Sequence, residues 1–217
     1  MRPLVAVAHG SSNPDAAATM VALAGQVRRL APVIDIRVAY VQHASPSLSQ
    51  ALRDAGDTAV VVPLLLSTGY HLNTDVVGSA RRVAGPLGPD QLLVTALMGR
   101  LADAGVPAGT PVVLAAAGSS DPLASGQVEA QAKLLAGELN AEVLPAYAAS
   151  GQPTVPEAVA ALRQRHGGRV AVASYLLAQG HFQDSLANSG ADWVTEPLGA
   201  HPAVAALIID RYRGIPA

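Results

Sequence analysis

Short apolar runs and longer amphipathic segments follow one another along this chain in a regular order. The first apolar run, Val5 to Ala8, ends at His9 and is followed by Gly10, two serines and an Asn-Pro pair. Such a run bounded by small residues predicts a buried parallel strand, and asparagine before proline is typical of a helix start. From Pro14 to Leu30, apolar residues recur at three- and four-residue spacing, which predicts an amphipathic helix.

The alternation of strand and helix continues through the first half of the chain. The pattern predicts further strands over 33–41, 58–66 and 91–97, and helices over 46–55 and 72–84. The run 58–66 is apolar throughout, which is typical of a central strand. Glycine and proline residues between 101 and 111 predict the connection between two halves.

The second half repeats the first. Its opening strand runs into Gly118 and two serines, and Ala117 stands at the position that His9 has in the first half. Tyr40 recurs as Tyr147, and we match Val94-Thr95 with Val194-Thr195. The pattern predicts strands over 112–117, 141–147, 169–177 and 192–198, and helices from 122, 153, 181 and 201.

These elements predict an α/β protein of two similar Rossmann-like domains. Each domain is expected to be an open parallel sheet of about four strands flanked by helices, and the two are related by internal duplication. We place the N-terminal domain at 1–107 and the C-terminal repeat domain at 108–217.

Composition narrows the function. Half of the 217 residues are hydrophobic but 3% are aromatic, so aliphatic side chains must fill the cores. A net charge of −2 without a basic cluster argues against nucleic acid as a partner. The absence of cysteine excludes disulfides, thiolate metal ligands and cysteine nucleophiles. With no apolar run long enough to span a bilayer, we expect a cytoplasmic protein without a membrane partner, present as a monomer or weak dimer.

His9 and His71 carry the candidate chemistry. Both follow predicted strands at the carboxyl edge of one sheet, where α/β folds bind ligands. A pair of neutral imidazoles suits a borderline divalent metal and can also accept protons near neutral pH. Ser11, Ser12 and Asn13 open the first helix and are candidates to bind an anionic group.

The remaining candidates are weaker. In the second half, His181 lies one residue before Phe182, which occupies the position matched to His71. His181 could assist or could simply start a helix, Asp75 could orient His71 or be solvated, and His43 lies in a loop. We expect solvated, structural roles for His166 at a helix end and for His201 at a helix start.

Three N-terminal motifs together resemble those of the sirohydrochlorin chelatases, the class II chelatases of siroheme and cobalamin biosynthesis. They are Ala8-His9-Gly10-Ser11-Ser12, Ala39-Tyr40-Val41 followed by Ser45-Pro46-Ser47-Leu48, and Val61 to Leu66 leading through Gly69 to His71. The resemblance spans nearly the whole chain in the two-domain, long bacterial form. It implies two chelatase-type domains.

The same resemblance implies that the chain inserts ferrous iron or cobalt into the tetrapyrrole sirohydrochlorin, with His9 and His71 binding the metal and taking the pyrrole protons. An imidazole pair also binds nickel, and no organic cofactor is implied. One departure stands out, because family members often carry a carboxylate shortly before the Pro-Ser-Leu segment, where this chain has Gln42-His43. His43 is a possible substitute ligand.

Two other functions stay open. A non-catalytic carrier of metal or tetrapyrrole would share the histidine pair and differ only in lacking turnover. A histidine phosphatase also starts with a strand ending in His-Gly, but it needs an arginine directly before the histidine to bind phosphate, and here that residue is Ala8.

Overall fold

The structure is a computed structural model that describes residues 2–69, 76, 78 and 80–216. The chain divides into two compact units: unit 1 is Met1–Leu87 with Gly199–Ala217, and unit 2 is Gly88–Leu198. Each unit contains a parallel β-sheet flanked by helices. The prediction of a duplicated α/β protein is therefore confirmed. Within the described ranges, no helix is long and apolar enough to cross a membrane.

Unit 1 is built on a three-stranded parallel sheet. Its described elements are β1 Leu4–Ala8, α1 Pro14–Leu30, β2 Ile36–Tyr40, α2 Leu48–Ala55, β3 Val60–Pro63 and α7 Pro202–Arg213. The strand order is β2-β1-β3, with β1 fully buried in the middle. Strand β1 is the middle strand of these three, but β3 is also flanked on both sides, which agrees with its predicted central place. The apolar character of β3 has a local reason, because Val61 also bridges to Val83 on its other side.

Unit 2 is built on a four-stranded parallel sheet. Its elements are α3 Gln91–Asp103, β4 Val112–Gly118, α4 Pro122–Leu139, β5 Val143–Ser150, α5 Val155–His166, β6 Ala171–Tyr175, α6 His181–Leu186 and β7 Trp193–Val194. The strand order is β5-β4-β6-β7. The core on one face is built from valine, alanine and leucine side chains of the strands, α5 and α6. This agrees with an aliphatic composition packed between layers.

Helix α3 contradicts the predicted strand over 91–97. An apolar run of this length fits a buried helix as well as a strand, and periodicity alone cannot separate the two. The overlooked signal was Asp90, whose side chain accepts a hydrogen bond from the Leu92 backbone amide at 2.9 Å and so caps the helix.

Near the end of each half, the structure matches the two repeats at positions other than those predicted. The Ala84 amide donates to the Val61 carbonyl at 2.8 Å, and the Thr195 amide donates to the Val172 carbonyl at 3.0 Å, so Thr195 corresponds to Ala84. The matching of Val94-Thr95 with Val194-Thr195 was therefore wrong. With the same offset between the halves, α7 is the counterpart of α3, and His201 takes the capping place of Asp90.

Helix α3 belongs to unit 2 and helix α7 to unit 1, although the predicted domains place α3 in the N-terminal and α7 in the C-terminal domain. In unit 2, the buried Gln131 amide of α4 binds both the amide and the carbonyl of Asp90, at 2.8 and 3.2 Å, and so holds the start of α3. In unit 1, Arg211 of α7 donates to the carbonyls of Pro86 and Leu87, at 2.9 and 2.6 Å. The compact units consequently differ from the predicted domains 1–107 and 108–217.

Part of the predicted helix over 72–84, residues 72–75, 77 and 79, lies outside the described residues. At its end, however, Val83 takes part in a parallel bridge with Val61 rather than in a helix. This bridge is the unit 1 counterpart of the pairing between β6 and β7, where Val172 faces Val194.

Candidate metal and substrate site

His9 is the first residue after β1, at the carboxyl edge of the unit 1 sheet, as predicted. Strand β1 pairs with β2 in a register that sets Ala8 opposite Tyr40. The hydrogen bonding continues beyond the strands, because the Gln42 amide donates to the His9 carbonyl at 3.0 Å. The segment after β2 is thus fixed directly beside His9.

Gly10 allows this close approach. Its φ is +97°, a region that favours glycine, and a Cβ atom there would collide with the Gln42 carbonyl oxygen. Unit 2 repeats the device, with Gly118 at φ +91° and the Ser150 carbonyl in the same place. The turn after the first strand of each unit therefore needs glycine, whatever residue precedes it.

Two polar side chains from the segment after β2 surround His9. The Gln42 side-chain amide lies 2.6 Å from Nε2 of His9. The rings of His9 and His43 are 6.5 Å apart between centroids and inclined by 62°. His43 was predicted to be a loop residue and a possible substitute ligand. The signal that could have found it is that His43 follows the neighbouring strand at the same edge as His9.

Ser11 and Asn13 have clear local roles. The Ser11 hydroxyl accepts a hydrogen bond from the Asn13 amide at 3.0 Å, and the Asn13 side chain accepts one from the Asp15 amide at 2.9 Å, which caps α1. Ser12 between them is exposed. The turn-and-cap geometry is confirmed. It leaves the Ser11 hydroxyl proton and the Asn13 side-chain NH₂ as donors at the same edge.

His71 and Asp75 lie outside the described residues, so their pairing with His9 stays a prediction. Among the residues that are described, no group of three histidine, aspartate or glutamate side chains is close enough to hold a metal ion. The described part of the site is thus the imidazole pair of His9 and His43 with the Gln42 amide.

The structure places the other histidines at helix ends. His201 caps α7, and its Nδ1 accepts a hydrogen bond from the Ala203 amide at 3.1 Å. His166 ends α5 and lies 2.6 Å from a carboxylate oxygen of Glu142. His181 is the first residue of α6, with its ring 6.0 Å from that of Phe182.

The matching edge of unit 2 is polar but carries different groups. It forms an open cleft of about 350 Å³ whose walls include Asp121, Glu129 and Tyr147. Burial raises the pKa of the Tyr147 phenol, and the nearby Glu129 carboxylate raises it further. Burial likewise raises the pKa of Tyr40 in unit 1, so both phenols stay neutral at neutral pH. In strand β4 of this unit, Ala117 occupies the position that matches His9.

Known proteins are similar to this chain in sequence and in fold. The model of the CbiX family matches residues 3–104 and 111–215. A sirohydrochlorin ferrochelatase from Bacillus subtilis strain 168 is 30% identical over 174 residues, covering 70% of this chain and 67% of the relative.

Solved structures show the same fold along almost the entire chain. SirB from Bacillus subtilis with Fe3+ has a TM-score of 0.82 and 26% identity, covering 97% of this chain and 94% of that one. A cobalt complex of the sirohydrochlorin chelatase SirB from Bacillus subtilis subspecies spizizenii has a TM-score of 0.75 and 24% identity, covering 97% and 93%. On the family match to both halves and this agreement, the chain belongs to the CbiX family.

Proposed function

We propose that this chain is a sirohydrochlorin chelatase, an enzyme that inserts ferrous iron or cobalt into sirohydrochlorin in siroheme or cobalamin biosynthesis. Membership of the CbiX family supports this, as does 30% identity to a sirohydrochlorin ferrochelatase. The similar SirB structures hold Fe3+ and cobalt.

The observation that carries the proposal is the placement of His9. Its imidazole leaves the carboxyl end of the central strand, and a second imidazole and an amide lie beside it. Neutral imidazole is a ligand for borderline divalent metals, and no thiolate is present in this chain to compete for that role.

Metal insertion requires that charge and protons balance. One divalent ion enters the macrocycle as two pyrrole N–H groups lose their protons, so the site must deliver the ion and accept two protons. We assign both tasks to His9 and His71, whose imidazoles can bind the ion and, once it has moved to the pyrrole nitrogens, take up the protons. Metal and proton thus exchange places on the same nitrogens.

The tetrapyrrole carries carboxylates, which must be held at the carboxyl edge of the unit 1 sheet. We assign this to Ser11, Ser12 and Asn13, which could donate hydrogen bonds from hydroxyl and amide groups where α1 begins. The support is that the Ser11 and Asn13 side-chain oxygens both accept from backbone amides, so the Ser11 hydroxyl proton and the Asn13 side-chain NH₂ are not used in these two hydrogen bonds.

The proposal extends to the cellular setting. Nickel is a third candidate metal, because imidazole ligands also bind it well. We expect no organic cofactor, since the reaction moves only a metal ion and protons. We further expect the chain to act in the cytoplasm as a monomer or weak dimer, without nucleic acid.

The test is an absorbance assay of sirohydrochlorin with each metal, with and without protein. We expect faster conversion with the wild type, and at least about a hundredfold slower conversion for His9→Ala and for His71→Ala, since proton transfer and metal delivery both fail. His9→Ala should fold normally, because Ala117 occupies the same turn in unit 2. Near-normal rates in either variant would contradict the assignment, and binding without turnover would instead indicate a carrier.

A further inference from the structure

Tyr40 and Tyr147 hold matched places near the ends of the second strands of the two units. In the strand register, Tyr40 lies opposite Ala8 and Tyr147 lies opposite Ala116. Each tyrosine amide also donates a hydrogen bond of 3.0 Å to the carbonyl of a proline shortly after it in the chain. The backbone therefore presents the two phenol side chains in the same way.

The two rings are buried, but their hydroxyl groups are unused. Tyr40 is 5% exposed and Tyr147 is 7% exposed. Among the described residues, none forms a hydrogen bond with either hydroxyl group, and neither oxygen is fully enclosed. A buried tyrosine usually has a hydrogen-bond partner for its O–H. Each phenol is consequently a donor that a ligand at the surface can satisfy.

Unit 2 shows where such a hydroxyl group leads. Tyr147 lines the open cleft together with the turn Ser119 to Asp121, which follows β4. The matching turn of unit 1 is Ser11 to Asn13, and α1 packs against β2 as α4 packs against β5. By the same geometry, we expect the Tyr40 phenol to lie at the turn where α1 begins.

The charges at the two edges differ. The walls of the unit 2 cleft include the carboxylates of Asp121 and Glu129, and no lysine or arginine is among the described residues that line it. At the matched positions unit 1 has Asn13 and Val21. Unit 1 does carry Asp15 in the first turn of α1, but this residue is exposed, so solvent screens its charge. A carboxylate ligand is thus repelled by the unit 2 edge far more than by the unit 1 edge.

The Tyr40 phenol keeps its proton under the conditions of the reaction. Burial raises the pKa of Tyr40 above its ordinary value, so the group is neutral at neutral pH. A neutral O–H that donates to a carboxylate forms a charge-assisted hydrogen bond, which is stronger than one between two neutral groups.

We propose that Tyr40 is a further substrate-binding residue, whose hydroxyl group donates a hydrogen bond to a carboxylate of sirohydrochlorin beside Ser11 and Asn13. This deepens the proposed function, on which it rests. Unit 2 has the same tyrosine without affinity for a carboxylate, because Asp121 and Glu129 stand beside it.

The experiment titrates metal-free sirohydrochlorin into the full chain by isothermal titration calorimetry. Tyr40→Phe removes the hydroxyl group and keeps the ring, and Tyr147→Phe is the matched control with the same chemical change in unit 2. Thermal melts verify folding. We expect the Kd to rise about tenfold for Tyr40→Phe, since a hydrogen bond to a charged group is lost, and to stay at the wild-type value for Tyr147→Phe.

Turnover gives a second readout. In Tyr40→Phe, KM for sirohydrochlorin should rise by a similar factor while kcat changes little, because the hydroxyl group contacts a peripheral carboxylate and not the pyrrole nitrogens. A wild-type Kd in Tyr40→Phe, or an equal rise of the Kd in Tyr147→Phe, would overturn the inference.

A second variant, Asn13→Asp, gives the unit 1 turn the charge of the unit 2 turn. The helix cap should survive, because the Asp121 side chain caps α4 by accepting from the Leu123 amide at 2.9 Å. We expect the Kd for sirohydrochlorin to rise at least about tenfold, and more at low ionic strength. An unchanged Kd would contradict the placement of a substrate carboxylate at this turn.

The same measurements separate this inference from the proposed function. Binding of sirohydrochlorin that depends on the Tyr40 hydroxyl group, without any metal insertion, would contradict the proposed function and support the inference. Metal insertion together with a Kd unaffected by Tyr40→Phe would contradict the inference alone.

Discussion

The carboxyl edges of the two sheets share one backbone design and differ in chemistry. Both have a glycine at positive φ under a carbonyl of the neighbouring strand, and both have a serine and a capping side chain that start the next helix. Unit 1 adds His9 and His43 to this frame, whereas unit 2 has Ala117 and Gly151. The histidines are thus not required by the fold.

The interiors of the two units differ as well. Among the described residues, the buried polar side chains lie in unit 2. The buried Gln183 side chain accepts from the Ser174 hydroxyl at 2.6 Å and donates to the Thr195 carbonyl at 2.9 Å. The Ser174 amide donates to the Thr195 hydroxyl at 2.9 Å. This network ties α6 to β6 and to the residue after β7.

Unit 1 replaces the network residue by residue. At the positions matched to Ser174, Gln183 and Thr195, its sequence has Pro63, Leu72 and Ala84. Proline has no amide proton, so the hydroxyl that the Ser174 amide needs is not needed at Ala84. Unit 2 thus uses this polar network to hold α6 in place, whereas unit 1 has apolar residues or proline at these positions and has its histidines at the exposed carboxyl edge.

Substituting the matched glycines should have the largest effect. Gly10→Ala forces a Cβ atom into the Gln42 carbonyl, so it should move Gln42 and His43 away from His9, abolish most metal insertion, and lower the free energy of unfolding by roughly 1–3 kcal/mol. Gly118→Ala meets the Ser150 carbonyl and should destabilise to a similar extent. Assays of rate per folded molecule, with thermal melts, separate the two.

Gly118→Ala is the control for that experiment, because Ala117 and Gly151 take the places of His9 and His43 beside it. It should keep most of the activity per folded molecule. Equal loss of activity in both variants would show that the chemistry is not confined to the unit 1 edge.

Replacing Gln183 by leucine, the residue at the matched position of unit 1, should have the next largest effect. Gln183→Leu leaves the buried Ser174 hydroxyl without its acceptor, so we expect a loss of roughly 1–3 kcal/mol in the free energy of unfolding, measured by urea denaturation. Gln183→Met, of similar length, distinguishes lost hydrogen bonds from altered shape. If both variants unfold like the wild type, the network does not stabilise α6.

The smallest effect concerns Asp192, which stands where unit 1 has Arg81. The Val170 amide donates to its carboxylate at 2.9 Å, and this bond and the Arg163 guanidinium hold the pKa of Asp192 below its usual value. A carboxyl with a lower pKa in the folded state stabilises above its unfolded pKa of about 3.9 and loses this as pH falls through the folded pKa.

Asp192→Asn should therefore destabilise modestly at pH 7, and the difference from the wild type should shrink as pH falls below about 4. Urea denaturation at both pH values measures this. A difference that stays constant with pH would contradict the role assigned to Asp192.

Local patterns in the sequence were sufficient for much of the fold. The helix over Pro14–Leu30 was predicted with the bounds that the structure has, because the spacing of its apolar residues and the Asn13 cap are properties of the segment itself. The strand ending at His9 and its repeat at Ala117 were also predicted from local sequence, since a buried strand followed by glycine is a short-range signal. His71 stays a prediction.

Only the tertiary structure decided features that depend on partners distant in sequence. The start of the helix over residues 91–97 is bound by buried Gln131 of another helix, a contact that periodicity does not reveal. His43 lies beside His9 because strand register sets the segment after β2 against the turn at Gly10. The sequence by itself determined the strand ending at His9, its repeat at Ala117 and the glycine turns after them through local sterics and apolar spacing, whereas long-range hydrogen bonds decided which segments meet.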